Sequence, residues 1–253
     1  MACTYSLLAS GTYMLAKSAA WVTRPEKYHG LRAKIGVWAP KIQRGHSLKS
    51  GATIYVSNLE DASSPSFNMF AAGFHVNPDL YNNSDVRFFT DWIGKGSAGS
   101  GDCYNLRCGG FVPAAGAALV PGQAVAPPST YNGEDHFITI SLRTNPKTGD
   151  WVLYRDDLHT PSLLGHFPKE LCPHLIGGAP QASFNGYVSY RKNERGPPMG
   201  SGHFPEEGEK KAAYFKNMKL FDSNADAQDP IHSNMVPWQN RPDCYKISIM
   251  FNA

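Results

Sequence analysis

Residues 70–111 read FAAGFHVNPDLYNNSDVRFFTDWIGKGSAGSGDCYNLRCGGF, and the fold turns on how this stretch is parsed. Residues 70–76 (FAAGFHV) are short, apolar and thin in polar side chains, the pattern of a strand covered on both faces. Asn77-Pro78-Asp79 and Asn82-Asn83-Ser84 are turn chemistry, because Asn and Asp side chains bond nearby backbone and Pro presets φ. Residues 86–93 (VRFFTDWI) then resume with aromatic and branched side chains that suit a pleated, partly buried surface. The glycines of 94–99 (GKGSAG) match a dinucleotide-binding spacing. No helical periodicity follows to hold a pyrophosphate, so the segment reads as a hairpin loop. Cys103 and Cys108 flank a short loop, and the spacing alone leaves open a disulfide or two buried thiols.

The same patterning extends in both directions. Further strands are expected at residues 33–38, 52–56, 135–143, 151–154, 182–190, 214–221 and 245–251, with two short ones in 109–125. Residues 163–175 read as a short helical or capping piece, and 222–242 as a long polar crossover. Residues 1–29 give no clear pattern and are assigned to a peripheral segment ahead of one domain spanning 30–253. Many strands with almost no helix predict an all-β fold, a two-sheet antiparallel β-sandwich.

Composition narrows the function. In 253 residues, 42% hydrophobic and 18% charged side chains are those of a globular chain. A net charge of +3 without runs of like charge argues against a nucleic-acid or membrane surface. No stretch is long and apolar enough to span a bilayer, and residues 1–21 lack the basic start of a signal peptide. There is no HExxH or Cys-x-x-Cys spacing for a metal, and no Gly-x-Ser-x-Gly elbow for a serine hydrolase. The nine histidines stand singly. No metal and no cofactor are expected.

Several motifs in sequence order carry a resemblance. Residues 103–111 (CYNLRCGGF) follow an EAGW-like strand at 71–74 and an LY…RFFTDW hairpin. Residues 199–208 (MGSGHFPEEG) precede 211–217 (KAAYFKN), 33–40 read AKIGVWAP, and Cys244-Tyr245 closes the series. In these motifs the chain resembles the neprosin family of plant glutamic peptidases. The resemblance implies a Cys103–Cys108 disulfide, an oxidising compartment, and a secreted or vacuolar protein whose signal and propeptide are missing from this chain. A Cys172–Cys244 bridge is open to the remaining cysteines, as is an unpaired Cys244 in a chain shortened at its end.

The resemblance also implies a catalytic pair of glutamates, since carboxylate peptidases need one acid to activate water and another to protonate the leaving amine. Carried over, those positions fall on Ala71 and Tyr187. Alanine can move no proton, and a tyrosine with its ordinary pKa near ~10 is no base in acid. The expected function is therefore a neprosin-like domain without its catalytic pair, a monomer that holds a peptide or protein ligand in a cleft. Phe74, Trp92, Phe184, Tyr187 and His203 are the expected lining, with aromatic faces for an extended, proline-containing peptide. The alternative is an active endopeptidase, cutting near proline at acidic pH, with acids placed elsewhere.

Overall fold

A computed structural model describes residues 14–45, 48–62, 64–94, 103–192 and 194–248. The strands in chain order are β1 (Met14–Thr23), β2 (Gly30–Gly36), β3 (Lys49–Ser57), β4 (Met69–Val76), β5 (Val86–Ile93), β6 (Cys103–Tyr104) and β7 (Val112–Pro113). They continue as β8 (Phe137–Thr144), β9 (Trp151–Arg155), β10 (Ser162–Phe167), β11 (Gln181–Arg191), β12 (Phe215–Phe221), β13 (Ala227–Gln228) and β14 (Met235–Gln239). One α-helical turn, α1 (Pro78–Tyr81), caps the β4–β5 connection. Its N-terminus is held by Asn77, whose side chain accepts from the Leu80 N–H, and its end by Asn82 in the left-handed region at φ 60°.

The strands form two antiparallel sheets, each with 7 strands. The first runs β14-β1-β11-β3-β4-β5-β6 and the second β13-β12-β2-β8-β9-β10-β7. Alternate residues of both sheets meet in one core, with Ile54, Phe70 and Phe184 from the first against Leu31, Ile140 and Leu153 from the second. Phe70 stacks on Phe167 at 4.7 Å between centroids, and Trp151, wholly buried, donates its indole N–H to the Leu175 carbonyl at 3.2 Å. The architecture is the β-sandwich that the alternation predicts.

Several segments differ from the sequence reading. Residues 14–23, within the stretch read as peripheral, form β1 in the interior of the first sheet, paired with β11 on one side and β14 on the other. Its Ala and Ser residues carry little strand preference of their own, and tertiary pairing overrides it. Residues 163–175 hold most of β10 and two short 3₁₀ turns rather than one helix. The crossover at 222–242 contains β13 and β14. Only one short strand, β7, lies in 109–125. The glycine-rich loop at 95–99 and the end of the strand expected at 245–251 fall outside the described residues, and 245–248 are not in a strand.

Because β1 lies inside the sheet, the account predicts that its loss is global. Deleting residues 1–23 should abolish the cooperative thermal transition followed by circular dichroism. Trp21→Ala should cost about 3–5 kcal/mol, since Trp21 is only 5% exposed. A truncated chain that still melts cooperatively would restore the peripheral reading.

Candidate functional site

The site follows from strand parity. β3 pairs with β11 and β4 on its two sides, so every second residue of the three strands shares the outer face of the first sheet. Registers extended to β1 and β5 define rows across that face. One row holds Val22, Ser183, Tyr55, Ala71 and Asp91. The next holds Ala20, Asn185, Thr53, Gly73 and Phe89, with Trp238 of β14 at its end. The third holds Ser18, Tyr187, Gly51, His75 and Arg87. The middle row is built of small side chains through Ala20, Thr53 and Gly73, between Tyr55 on one flank and Tyr187 with His75 on the other. That row crosses the strands between those flanks, and Trp238, 57% exposed, stands at its β14 end. The Asn185 Oδ1 atom is buried there without a hydrogen-bond partner among the described residues.

A chain of hydrogen bonds borders this row. His75 Nδ1 lies 3.0 Å from the Tyr187 hydroxyl and its Nε2 lies 2.6 Å from the Tyr104 hydroxyl. Tyr104 and Tyr81 hydroxyls are 3.2 Å apart, and Asn105 Nδ2 donates to the Tyr81 oxygen at 3.0 Å. The His75 ring stacks on Phe89 at 4.8 Å and on Tyr104 at 5.6 Å. Gly51 makes the Tyr187–His75 contact possible. A Cβ on it would fall 2.6 Å from the His75 Cβ and 3.0 Å from the Tyr187 ring.

This chain is electrically neutral. Burial drives the His75 pKa down from 6.5 to about 3, with the nearby charge of Lys49 adding to it. One of its nitrogens therefore donates and the other accepts. Burial also pushes the Tyr187 and Tyr104 phenols well above their ordinary value, so both stay protonated; Asp91 adds to the rise in each, and Tyr81 to that in Tyr104. This hydrogen-bond chain can donate and accept hydrogen bonds but contains no charged base.

The expected site residues divide. Ala71 and Tyr187 share the outer face, but they stand in different rows, four residues apart along the paired strands. Tyr187 reaches His75 rather than Ala71. Phe74, Trp92 and Phe184 do not line the cleft. They are 3%, 2% and 0% exposed and point between the sheets, because each is odd by one residue from the outer-face positions. His203 lies in the loop after β11, where its Nδ1 meets Glu207 at 2.9 Å and its ring stacks on Tyr131 at 4.2 Å. None of those partners belongs to the cleft face. The aromatic residues that do belong to it are Tyr55, Phe89, Tyr104, Tyr187 and Trp238. Counting alternate positions from residue 71 identifies His75 from sequence, whereas Tyr55 and Trp238 need the strand registers.

Acids are scarce on this sheet. Its seven strands contain one carboxylate, Asp91, which stands directly across from Ala71 on the same face. β11 has none at any position, so its lack does not depend on aligning Tyr187 rather than a neighbour. Among the described residues no group of His, Cys, Asp and Glu is placed to hold a metal.

The cysteines also resolve. Cys103 and Cys108 form a disulfide with Cα atoms 5.9 Å apart. A Cys172–Cys244 bridge does not form. Cys172 is a buried free thiol whose pKa burial raises to about 12, and Cys244 is disulfide-bonded.

A neutral buried His75 has a measurable consequence. Below pH 6.5 the unfolded chain takes up a proton that the folded chain refuses until about pH 3, so stability is full above that window and falls through it. Urea unfolding should show a loss of about 1.4 kcal/mol per pH unit from this group, absent in His75→Gln. An unchanged slope in that variant would contradict the assignment.

Two crystal structures of scytalido-glutamic peptidase, one with a peptide-based transition-state analogue and one with a transition-state analogue inhibitor, align over 85% and 90% of this chain and 84% and 89% of theirs. Identities are 11% and 10%, with TM-scores of 0.40 and 0.42. A native glycosidic hydrolase aligns over 68% of this chain and 77% of its own, at 13% identity and a TM-score of 0.26. The family model described as Neprosin matches residues 46–253, which take in every strand of the sandwich except β1 and β2. This chain belongs to the neprosin family.

Proposed function

We propose that this neprosin domain binds extended peptides on the outer face of its first sheet and does not cleave them. The observation that carries the reading is the face itself, which has the breadth and small-residue floor of a peptide furrow but only Asp91 as an acid. Hydrolysis by carboxylates needs two groups with separated pKa values, and Ala71 and Tyr187 supply none. In place of acids the furrow has the Tyr187–His75–Tyr104 chain. Asn105 donates to Tyr81, so the chain can run from Tyr81 through Tyr104 and His75 to Tyr187. The Tyr187 O–H is then free to donate to a ligand carbonyl. Trp238 and Tyr55 offer faces for proline rings. The disulfides support an oxidising, secreted setting.

A second reading has one observation in its favour: Asp91 lies opposite Ala71, where a single carboxylate could act on a bound peptide. One set of measurements separates the two. A proline-containing fluorogenic peptide should stay uncut from about pH 3 to pH 7, while fluorescence polarisation detects its binding. Tyr187→Phe should weaken that binding by roughly fivefold, the worth of about 1 kcal/mol for one hydrogen bond, and should also lower the melting temperature, because the buried His75 N–H loses its acceptor. Cleavage that disappears in Asp91→Asn would establish the peptidase reading instead.

A further inference from the structure

A pocket of about 360 Å³ opens at the end of the first sheet where β3 begins. Lys41, Ile42, Gln43 and Leu48 form one wall, and the Arg195-Gly196-Pro197-Pro198 loop forms the other. Both walls are anchored. The Tyr245 hydroxyl donates to the Pro197 carbonyl at 3.0 Å, and a Cβ on Gly196 would collide with that hydroxyl and with the Tyr190 ring. Opposite, Ser84 Oγ donates to the Ile42 carbonyl at 3.3 Å, and the Gly45 N–H donates to Asp79. The site is thus preformed, with an aliphatic and proline floor.

Its charge is one-sided. Lys41 and Arg195 line the pocket, and no carboxylate does. Neither cation has an ion pair or side-chain hydrogen bond among the described residues. Glu194, next to Arg195 in sequence, lies 3.6 Å from Arg191, and Asp79 accepts from the Gly45 N–H. Lys49, at the head of β3, shares the outer face with Gly51 and the Tyr187–His75 row. Leu48 lines the pocket immediately before it. Cations therefore continue from the pocket to the part of the outer face just beyond the Tyr187–His75 flank of the furrow.

We propose that this pocket receives the carboxylate of an acidic side chain in a peptide that leaves the furrow over its Tyr187–His75 flank, with the next, apolar residue seated on Ile42, Leu48, Pro197 and Pro198. Lys41 and Arg195 supply the counter-charge, and Lys49 draws the acid over the flank toward the pocket. The inference rests on the peptide-binding reading and adds to it a preference for acidic–apolar pairs beside the proline-containing segment.

Three labelled peptides test it by fluorescence polarisation: one with a Glu-Leu pair beside proline, its Gln-Leu counterpart, and a Gln peptide ending in a free Leu carboxylate, the first two amidated. The Glu-Leu peptide should bind roughly tenfold more tightly than Gln-Leu at low salt, a gap that narrows as about 0.5 M salt screens exposed charge. Lys41→Glu with Arg195→Glu should erase the gap while leaving Gln-Leu affinity and the melting temperature unchanged. Equal affinity of the two amidated peptides overturns the pocket and leaves the furrow standing. Binding of neither overturns both. A free-carboxylate peptide that matches Glu-Leu makes the ligand a chain terminus and overturns the side-chain assignment.

Discussion

β3 is hydrogen-bonded along its length on both sides, to β11 and to β4, and this double pairing fixes which residues face outward. A slip of one residue in either ladder would turn the furrow floor into the core and bring Phe74 and Phe184 to the surface. Gly51 occupies the point where the constraint is tightest, between Tyr187 on one neighbour and His75 on the other. Its missing side chain lets the two rings meet. Gly73, two places along β4 from His75, has a similar closeness to backbone, since a Cβ there would stand 2.1 Å from the Ala52 carbonyl oxygen. The floor is small because the strands leave no room for it to be otherwise.

The electrostatic character of the face follows from that packing. Buried carboxylates cost free energy unless paired and hydrogen-bonded, and a catalytic pair must bear that cost to keep one acid ionised. Here the same burial acts on groups whose neutral forms are hydrogen-bonded to one another. His75 stays uncharged and the tyrosines stay protonated, each contact satisfying a donor or acceptor that water cannot reach. A surface of this kind fits recognition of an uncharged peptide backbone. Positive charge gathers beyond the Tyr187–His75 flank, where Lys41, Lys49 and Arg195 lie partly in solvent.

Much of the fold was legible. β4 and β5 stood out because a strand buried on both faces and an aromatic strand after a turn leave plain patterns, and the ordered motifs pointed to the family. The membership of β1 was not legible, since its Ala-Lys-Ser-Ala-Ala run has neither branched side chains nor clear alternation, and only Trp21 marks a core position. Aromatic residues near the site were recognisable, but their direction was not. Trp92 and Phe89 lie three residues apart on one strand and face opposite ways. Trp238 was hidden in a segment rich in polar residues and proline, where an edge strand looks like a loop. The sequence has no acid at residues 71 and 187, and no position of β11 carries one.

The most direct test is the charge on His75. Nitrogen chemical shifts of its ring, followed by NMR from about pH 8 to about pH 4, should report one protonated nitrogen throughout, with no titration. A midpoint near the ordinary histidine value, or a doubly protonated ring across that range, would contradict a neutral His75 and the hydrogen-bond chain built on it.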